Sequence, residues 1–283
     1  MGGLDVNFLG GFAASRRLRI IRATRADALA DDLASQLTSA DGPTPLDECF
    51  VAVSEVGLGG WLRQFMIERL GAWGGMEMLS LSDFLLALAE RVSPTPELGR
   101  RIDPLRELTH ILAERVIRAE SPRDPIHFRL KPLLDICSGP DGLDREMLFV
   151  HCHAIAAAFN RYELDRPDLI EAWMSADRAW QEVGAAWTVQ AQSVECWQRA
   201  LWQDVVAEKW LPHQQWCAVG VLISALNRGE CPIQIREIGF VGIFALSSIP
   251  PLAMNLLVAL GRHVRVHLYL LTPSLTARAV SSG

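Results

Sequence analysis

The sequence predicts an α/β protein in which a parallel sheet domain carries a large all-helical insertion. Three observations point to this fold class. Over residues 1–95, short apolar runs alternate with amphipathic helical segments, which is the pattern of strand–helix–strand units. Residues 96–215 show helical periods without a convincing strand, and strand patterns return over residues 216–283. A chain of 283 residues that is 50% hydrophobic and 21% charged can bury cores of this size.

The first region contains three predicted strands, each followed by a predicted helix. The strands are expected at residues 18–22, 49–53 and 76–79, and the helices at residues 27–37, 61–70 and 81–91. The second strand is apolar throughout, as in a sheet covered on both faces. A glycine-bearing turn is expected at residues 55–60, before the second helix. Residues 1–17 are rich in glycine and alanine and are expected to form a loose leader.

The middle region is predicted to be helical, with the helices separated by prolines, and it holds six of the nine tryptophans. The last region is expected to resume the sheet with a strand at residues 237–243, a proline-started helix ending at Leu260, and a strand at residues 264–271. His263 and His267 flank Arg265 and are expected to share one face of that final strand. The sheet is expected to be truncated after it.

Membrane insertion and export are not predicted. Residues 239–261 carry no charge, but a Ser-Ser-Ile-Pro-Pro turn divides them into apolar runs too short to span a bilayer. The six cysteines are scattered without a C-x-x-C pair, which is typical of reduced thiols in a cytoplasmic protein. The net charge of −6 argues against a protein that coats duplex DNA, although it leaves room for a local nucleic-acid track.

No catalytic, cofactor or metal site is expected in this chain. A phosphate-binding P-loop needs a lysine after glycine, and neither of the two lysines, Lys131 and Lys209, follows a glycine. A G-x-S-x-G nucleophile elbow is absent as well. The cluster His151-Cys152-His153 has no second pair of ligands at zinc spacing. The sequence therefore argues against a motor or a hydrolase acting alone.

Arginines and aromatic residues interleave in two places. Trp61 and Arg63 open one predicted helix, and Arg161, Tyr162 and Arg166 lie in a longer helical stretch that continues to Trp173 and Arg178. Arginine forks bind phosphate and indoles stack on bases, so these sets suit a single nucleic-acid strand. Tryptophans in a helical region are more often core residues, and this alternative stays open.

Several motifs, in order along the chain, resemble those of one family. They are Arg25–Leu29 after the first strand, Gly57–Leu62 with Glu68–Gly71, Phe159–Tyr162 with Arg166–Asp168 and Trp173, Trp197–Trp202, Leu246–Pro251 and Leu260–Leu271. Together they resemble the gamma subunit of exodeoxyribonuclease V, the RecC family, over roughly residues 18–275. The resemblance covers the N-terminal quarter of that family only.

The resemblance implies a P-loop-helicase-like fold that has lost its ATPase motifs. It implies a non-catalytic DNA-binding or scaffold subunit of the RecBCD helicase and exonuclease, which acts in double-strand-break repair and homologous recombination. The expected partners are RecB-like and RecD-like helicase and nuclease subunits, together with single-stranded DNA and the duplex end. ATP and Mg²⁺ are expected to bind to those partner subunits rather than to this chain.

Five residues are the candidate nucleic-acid contacts: Trp61, Arg63, Asn160, Arg161 and Arg166. Arg166 could equally form an internal salt bridge with the neighbouring Asp168. The chain departs from the family pattern at Val56 and Ala157, where the family has polar residues. The alternative to a DNA-handling subunit is a truncated or decayed fragment that acts at most as a folded interaction module.

Overall fold

The fold is given by a computed structural model, which describes residues 17–71, 74–92, 104–140, 142–174, 189–207 and 211–272. The chain divides into two compact units. The first, here called the sheet unit, comprises Met1–Pro94 and Ala218–Gly283. The second, the helical unit, comprises Thr95–Cys217. The interpretation of residues 96–215 as an insertion into a helicase-like domain stays a prediction.

The helices and strands follow one another along the chain in this order. The first part of the sheet unit consists of β1 (Leu18–Ala23), α1 (Ala26–Leu37), β2 (Cys49–Val53), α2 (Val56–Leu70), β3 (Met76–Ser80) and α3 (Leu81–Val92). The helical unit contains α4 (Pro104–Ala119), α5 (His127–Ile136), β4 (Ser138–Gly139), β5 (Gly142–Leu143), α6 (Arg145–Asp165), α7 (Pro167–Met174) and α8 (Val189–Ala207). The chain continues through α9 (Leu211–Asn227), α10 (Ile233–Arg236), β6 (Phe240–Phe244), α11 (Pro251–Leu260) and β7 (Val266–Leu271).

The sheet unit is built on five parallel strands in the order β1-β7-β6-β2-β3. Every residue of β2 and of β6 is buried, because these strands lie inside the sheet and are covered on both faces. The predicted α/β class with a parallel sheet is thus confirmed.

Helix α1 contributes three leucines to the core of the sheet unit. Leu29, Leu33 and Leu37 recur at helical spacing and are fully or almost fully buried beside β2 and β6.

The helical unit has its own hydrophobic core and also contains a buried arginine. Arg115 of α4 is 5% exposed. Its guanidinium donates to both carboxylate oxygens of Asp124, at 2.9 and 3.0 Å, and also to Asp204 of α8. A charge buried this deeply is tolerated because both carboxylates compensate it. This network links α4 to α8 and to the turn that precedes α5.

Several predicted boundaries were wrong for local reasons. Helix α2 begins at Val56 rather than at residue 61, because Glu55 is extended and its carbonyl accepts the first helical bond from Gly59 N, at 3.0 Å. The glycines of the expected turn therefore lie inside the helix. Strand β6 begins at Phe240, since Glu237 N and Ile238 N still bond to carbonyls of α10, at 3.1 and 3.3 Å. A short antiparallel pair, β4 and β5, interrupts the region where no strand was expected.

The expectation that His263 shares a strand face with His267 was also wrong. His263 lies in the turn before β7, where its backbone N donates to Leu260 O at 2.8 Å, and its ring Nε2 is 3.0 Å from Leu226 O. The His263 ring therefore contacts the end of α9, and the residue is not part of β7. The predicted helix containing Arg166 ends at Asp165 and restarts at Pro167, while Arg178 lies outside the described residues.

Two further expectations concern cysteines and membranes. All six cysteines are present as thiols rather than as disulfides, and four of them, Cys49, Cys137, Cys152 and Cys231, are buried. Burial raises the pKa of Cys152 to about 12. Within the described ranges, the structure contains no helix with both the length and the apolar character required to cross a bilayer.

Candidate functional site

The sheet reverses its winding direction between β2 and β6. From β2 the chain passes through α2 to its neighbour β3, whereas from β6 it passes through α11 to β7 on the other side. In open parallel sheets such a reversal opens a crevice outside the carboxyl ends of the strands, where ligands bind. The strand ends are level, because Val53 pairs in register with Ser80 and with Phe244.

A cleft of 540 Å³ lies at this edge, on the β2–β3 side of the reversal, and is here called the switch-point cleft. Its walls include Ser54 and Glu55 after β2, Gly60 and Arg63 on the first turns of α2, and Asp83 on α3. The amino terminus of α2 opens onto it, which brings the positive end of the helix dipole to the cleft. Its size is within the range of small-ligand clefts.

The α3 wall of the cleft is held by a capping arrangement. The Ser80 hydroxyl donates to Asp83 Oδ2 at 2.7 Å, and Asp83 N donates back to Ser80 Oγ at 3.1 Å. This reciprocal pair caps the start of α3 in the manner of a capping box. Sequence reasoning missed both residues. Ser80 is the last residue of β3 and Asp83 lies in the first turn of α3, so their place at the end of a strand was the available signal, because the ends of parallel strands meet at a sheet edge.

Trp61 and Arg63 both lie on α2, but they have different surroundings. The Trp61 ring centroid is 5.5 Å from that of Phe65 and 6.4 Å from that of Phe244, at the end of β6. The indole is still 38% exposed. Arg63 is exposed on the cleft wall, and among the residues that the structure describes no hydrogen bond or ion pair involves its guanidinium. Its charge is therefore available to a ligand.

The other three candidate residues belong to the helical unit. Arg161 on α6 is exposed and lies 3.6 Å from Asp165 Oδ2. Arg166 donates to both oxygens of Asp168, with its closest contact at 2.8 Å, so the salt bridge left open by the sequence is present. These hydrogen bonds from Arg166 lower the pKa of Asp168. Asn160 is half-buried on α6, and its Oδ1 has no hydrogen-bond donor among the described residues.

The aromatic residues of the same motif form core rather than surface. Phe159 and Trp173 are fully buried, with ring centroids 6.1 Å apart in an edge-to-face arrangement. Tyr162 packs edge-on against Trp173 at 5.9 Å, and its hydroxyl donates to Gln198 at 3.3 Å. Trp202 is also buried, 5.7 Å from Trp173. Trp173 and Trp202 are therefore core residues rather than exposed platforms for bases.

The described residues also bear on metal binding. No group of three or more histidine, cysteine, aspartate or glutamate side chains is placed to hold a metal ion within the described ranges. Cys152, the middle residue of the His-Cys-His sequence, is buried while His153 is exposed, so these neighbours point in different directions on α6.

The structure defines a parallel α/β protein with a cleft at the carboxyl edge of its sheet. Residues 18–280 match the family model described as RecC, N-terminal domain. The chain belongs to this family, which confirms the resemblance read from the motifs. Membership implies a subunit of a RecBCD-type complex. A comparison with curated proteins finds no match.

Proposed function

We propose that this chain is a non-catalytic, DNA-handling subunit, or the N-terminal portion of one, in a cytoplasmic RecBCD-type helicase and exonuclease. The match of residues 18–280 to the RecC N-terminal domain carries the proposal. The complex would act in double-strand-break repair and recombination, and this chain would hold unwound single-stranded DNA. Its partners would be RecB-like and RecD-like subunits.

The connection after β1 supports a helicase-like domain without its own ATP site. Only Thr24 and Arg25 separate β1 from α1, whereas a P-loop places a longer glycine-rich turn with a lysine there. Neither lysine of the chain follows a glycine. The proposal therefore assigns ATP and Mg²⁺ to the partner subunits.

Two exposed side chains of α2 support single-strand binding in particular. Arg63, on the wall of the switch-point cleft, offers a guanidinium to a backbone phosphate, and Trp61, which is not among the residues that line the cleft, offers the exposed part of its indole to a base. In contrast, Arg161 and Arg166 each lie beside an aspartate, which offsets much of their charge. We therefore place the principal phosphate contact at Arg63 and keep Asn160, Arg161 and Arg166 as proposed secondary contacts.

Fluorescence anisotropy with the full chain and a labelled oligothymidylate tests DNA binding. Arg63→Gln should weaken binding by about tenfold and lower the salt dependence by about one phosphate contact. The matched control is Arg69→Gln on the same helix, because Arg69 is already paired with Asp31 at 2.7 Å. Equal binding by the two variants would remove Arg63 from the proposed contact.

Co-purification tests the subunit assignment separately. The tagged full chain, coexpressed with RecB-like and RecD-like subunits, should retain them through a high-salt wash. Loss of both partners, together with absent oligonucleotide binding at low salt, would refute the proposed function.

A folded interaction module without DNA binding is the second candidate. Large apolar side chains on the helical unit favour it, since Phe128 is 78% and Val150 60% exposed. Retention of the partners without any oligonucleotide binding would select this candidate.

A further inference from the structure

A second cleft lies at the opposite, amino-terminal edge of the sheet and is here called the basic cleft. It has a volume of 330 Å³ and lies between the starts of β1 and β7 and the end of α1. Three arginines line it, Arg17, Arg19 and Arg265, together with His267 and Asp41. All of these residues belong to the sheet unit. We infer that the basic cleft binds a phosphate group.

Two of the arginines are positioned by backbone carbonyls rather than by acids. Arg17 donates to His263 O, and Arg265 donates to Asp41 O. A carbonyl orients a guanidinium without cancelling its charge, and each fork retains further N–H donors. The three arginines and the single lining carboxylate, Asp41, leave the cleft with a formal charge of +2.

The third arginine is brought into the cleft by strand pairing. Arg19 of β1 pairs in register with His267 of β7, so their side chains lie on neighbouring strands at the same level. Arg19 also faces Asp32 of α1, and its charge opposes the effect of burial, which raises the pKa of that carboxyl. Asp32 does not line the cleft.

His267 supplies a buried polar group to the same cleft. It is 1% exposed, its Nδ1 lies 3.3 Å from the Tyr269 hydroxyl, and its ring packs edge-on against Phe240 at 5.1 Å. Burial, reinforced by the charges of Arg19 and Arg265, lowers the pKa of His267 to about 4. The ring is therefore neutral at pH 7 and carries a single N–H.

These features suit phosphate better than other small anions. Guanidinium forks bind phosphate oxygens in pairs, and the charge of +2 matches a phosphate monoester at pH 7. The phosphate could belong to inorganic phosphate, to a nucleoside monophosphate or to the backbone of a nucleic acid. The inference does not depend on DNA binding at the switch-point cleft, which lies at the other end of the strands.

Isothermal titration calorimetry of the full chain with inorganic phosphate, at constant ionic strength set with chloride, tests the site. We expect saturable binding that weakens by about tenfold or more in Arg265→Gln and in Arg19→Gln. The control is Arg22→Gln, on β1 three residues from Arg19 and therefore on the opposite face of the strand. Circular dichroism checks that each variant is folded.

A second readout keeps the test decisive if a variant fails to fold. In the unaltered chain, phosphate should shift the imidazole NMR resonances of His267, whereas equimolar chloride should not. Absence of saturable phosphate binding and of this shift would overturn the inference, as would equal binding by Arg22→Gln and Arg265→Gln.

The source of the phosphate is resolved by competition. If thymidine monophosphate displaces inorganic phosphate, the site accepts a monoester. If an oligothymidylate displaces it from the unaltered chain and from Arg63→Gln alike, the site accepts a nucleic-acid backbone. Either displacement supports a phosphate site, and an equal effect of chloride on the bound phosphate contradicts it.

Discussion

The indole Nε1 of Trp173 donates a hydrogen bond of 2.7 Å to Oε1 of Glu195, and both side chains are buried in the helical unit. This bond joins α7 to α8. Arg199, one turn further along α8, lies 3.8 Å from the same carboxylate. A buried carboxylate held by an indole and an arginine is a costly arrangement to disturb, because an unmatched charge would remain in the core.

Trp173→Phe should lower the free energy of unfolding by about 3 kcal/mol, since it removes both buried volume and the donor to Glu195. Glu195→Gln should cost less, because its amide oxygen still accepts the indole hydrogen, whereas Glu195→Ala should cost more than the glutamine variant. Urea denaturation followed by circular dichroism measures all three. A glutamine variant as unstable as the alanine variant would show that the hydrogen bond is not the stabilising contact.

Gly57→Ala should raise the free energy of unfolding by about 0.5–1 kcal/mol. Gly57 is in the first turn of α2, and a Cβ there would meet nothing within 4 Å, so alanine adds helix propensity without a clash. The control is Gly59→Ala, where the Cβ would lie 3.2 Å from a methyl group of Val53. Thermal denaturation should rank Gly57→Ala above the unaltered chain and above Gly59→Ala.

Ala245→Gly should stabilise the sheet unit by about 0.5–1 kcal/mol. Ala245 follows β6 with a φ of 53°, in the left-handed region that glycine adopts more readily than alanine. Its backbone N donates to Tyr269 O at 2.8 Å, which holds this conformation. Ala52→Gly, in the middle of buried β2, should destabilise instead. A loss of stability in Ala245→Gly would show that its methyl contacts outweigh the backbone strain.

The stability of the sheet unit should depend on His267 between about pH 6.5 and pH 4. Folding lowers the pKa of His267 from 6.5 to about 4, so only the unfolded chain gains a proton as the pH falls through this window. The free energy of unfolding should therefore be highest above pH 6.5. It should fall by about 2 kcal/mol as the pH drops to 4, a figure that allows for screening of the imidazole by solvent.

The control for this pH dependence is His267→Gln, whose stability should change less over the same range. Arg19, Arg265, Asp32 and Tyr269 surround the imidazole and remain in both proteins, so their titration largely cancels in the comparison. Urea denaturation at half-unit pH intervals gives both curves. Parallel curves would show that the imidazole has the same pKa in the folded and the unfolded chain.

Much of the sheet could be predicted because the apolar runs in the sequence coincide with strands that are buried in the structure. The apolar run Cys49–Val53 is observed with its predicted bounds, since a strand buried on both faces must be apolar throughout. The glycines after it misled the prediction. They indicate a turn locally, yet the helical bonds that begin at Glu55 include them.

For the candidate contacts, the sequence named residue types but could not show their partners. In the sequence, Arg63 and Arg166 are equivalent as arginines in predicted helical segments. Only the structure shows that Arg166 is paired with Asp168, while no ion pair to Arg63 is present among the described residues. Whether these residues contact DNA stays a prediction.

The sequence by itself determined the α/β class, the family and the missing P-loop lysine, because apolar periodicity and ordered motifs are properties of the chain alone. The tertiary structure decided which strands are neighbours. Arg19 and His267 are separated by 248 positions yet pair in register on β1 and β7. Such pairing depends on burying both sheet faces at once, a requirement of the whole unit that no local pattern records.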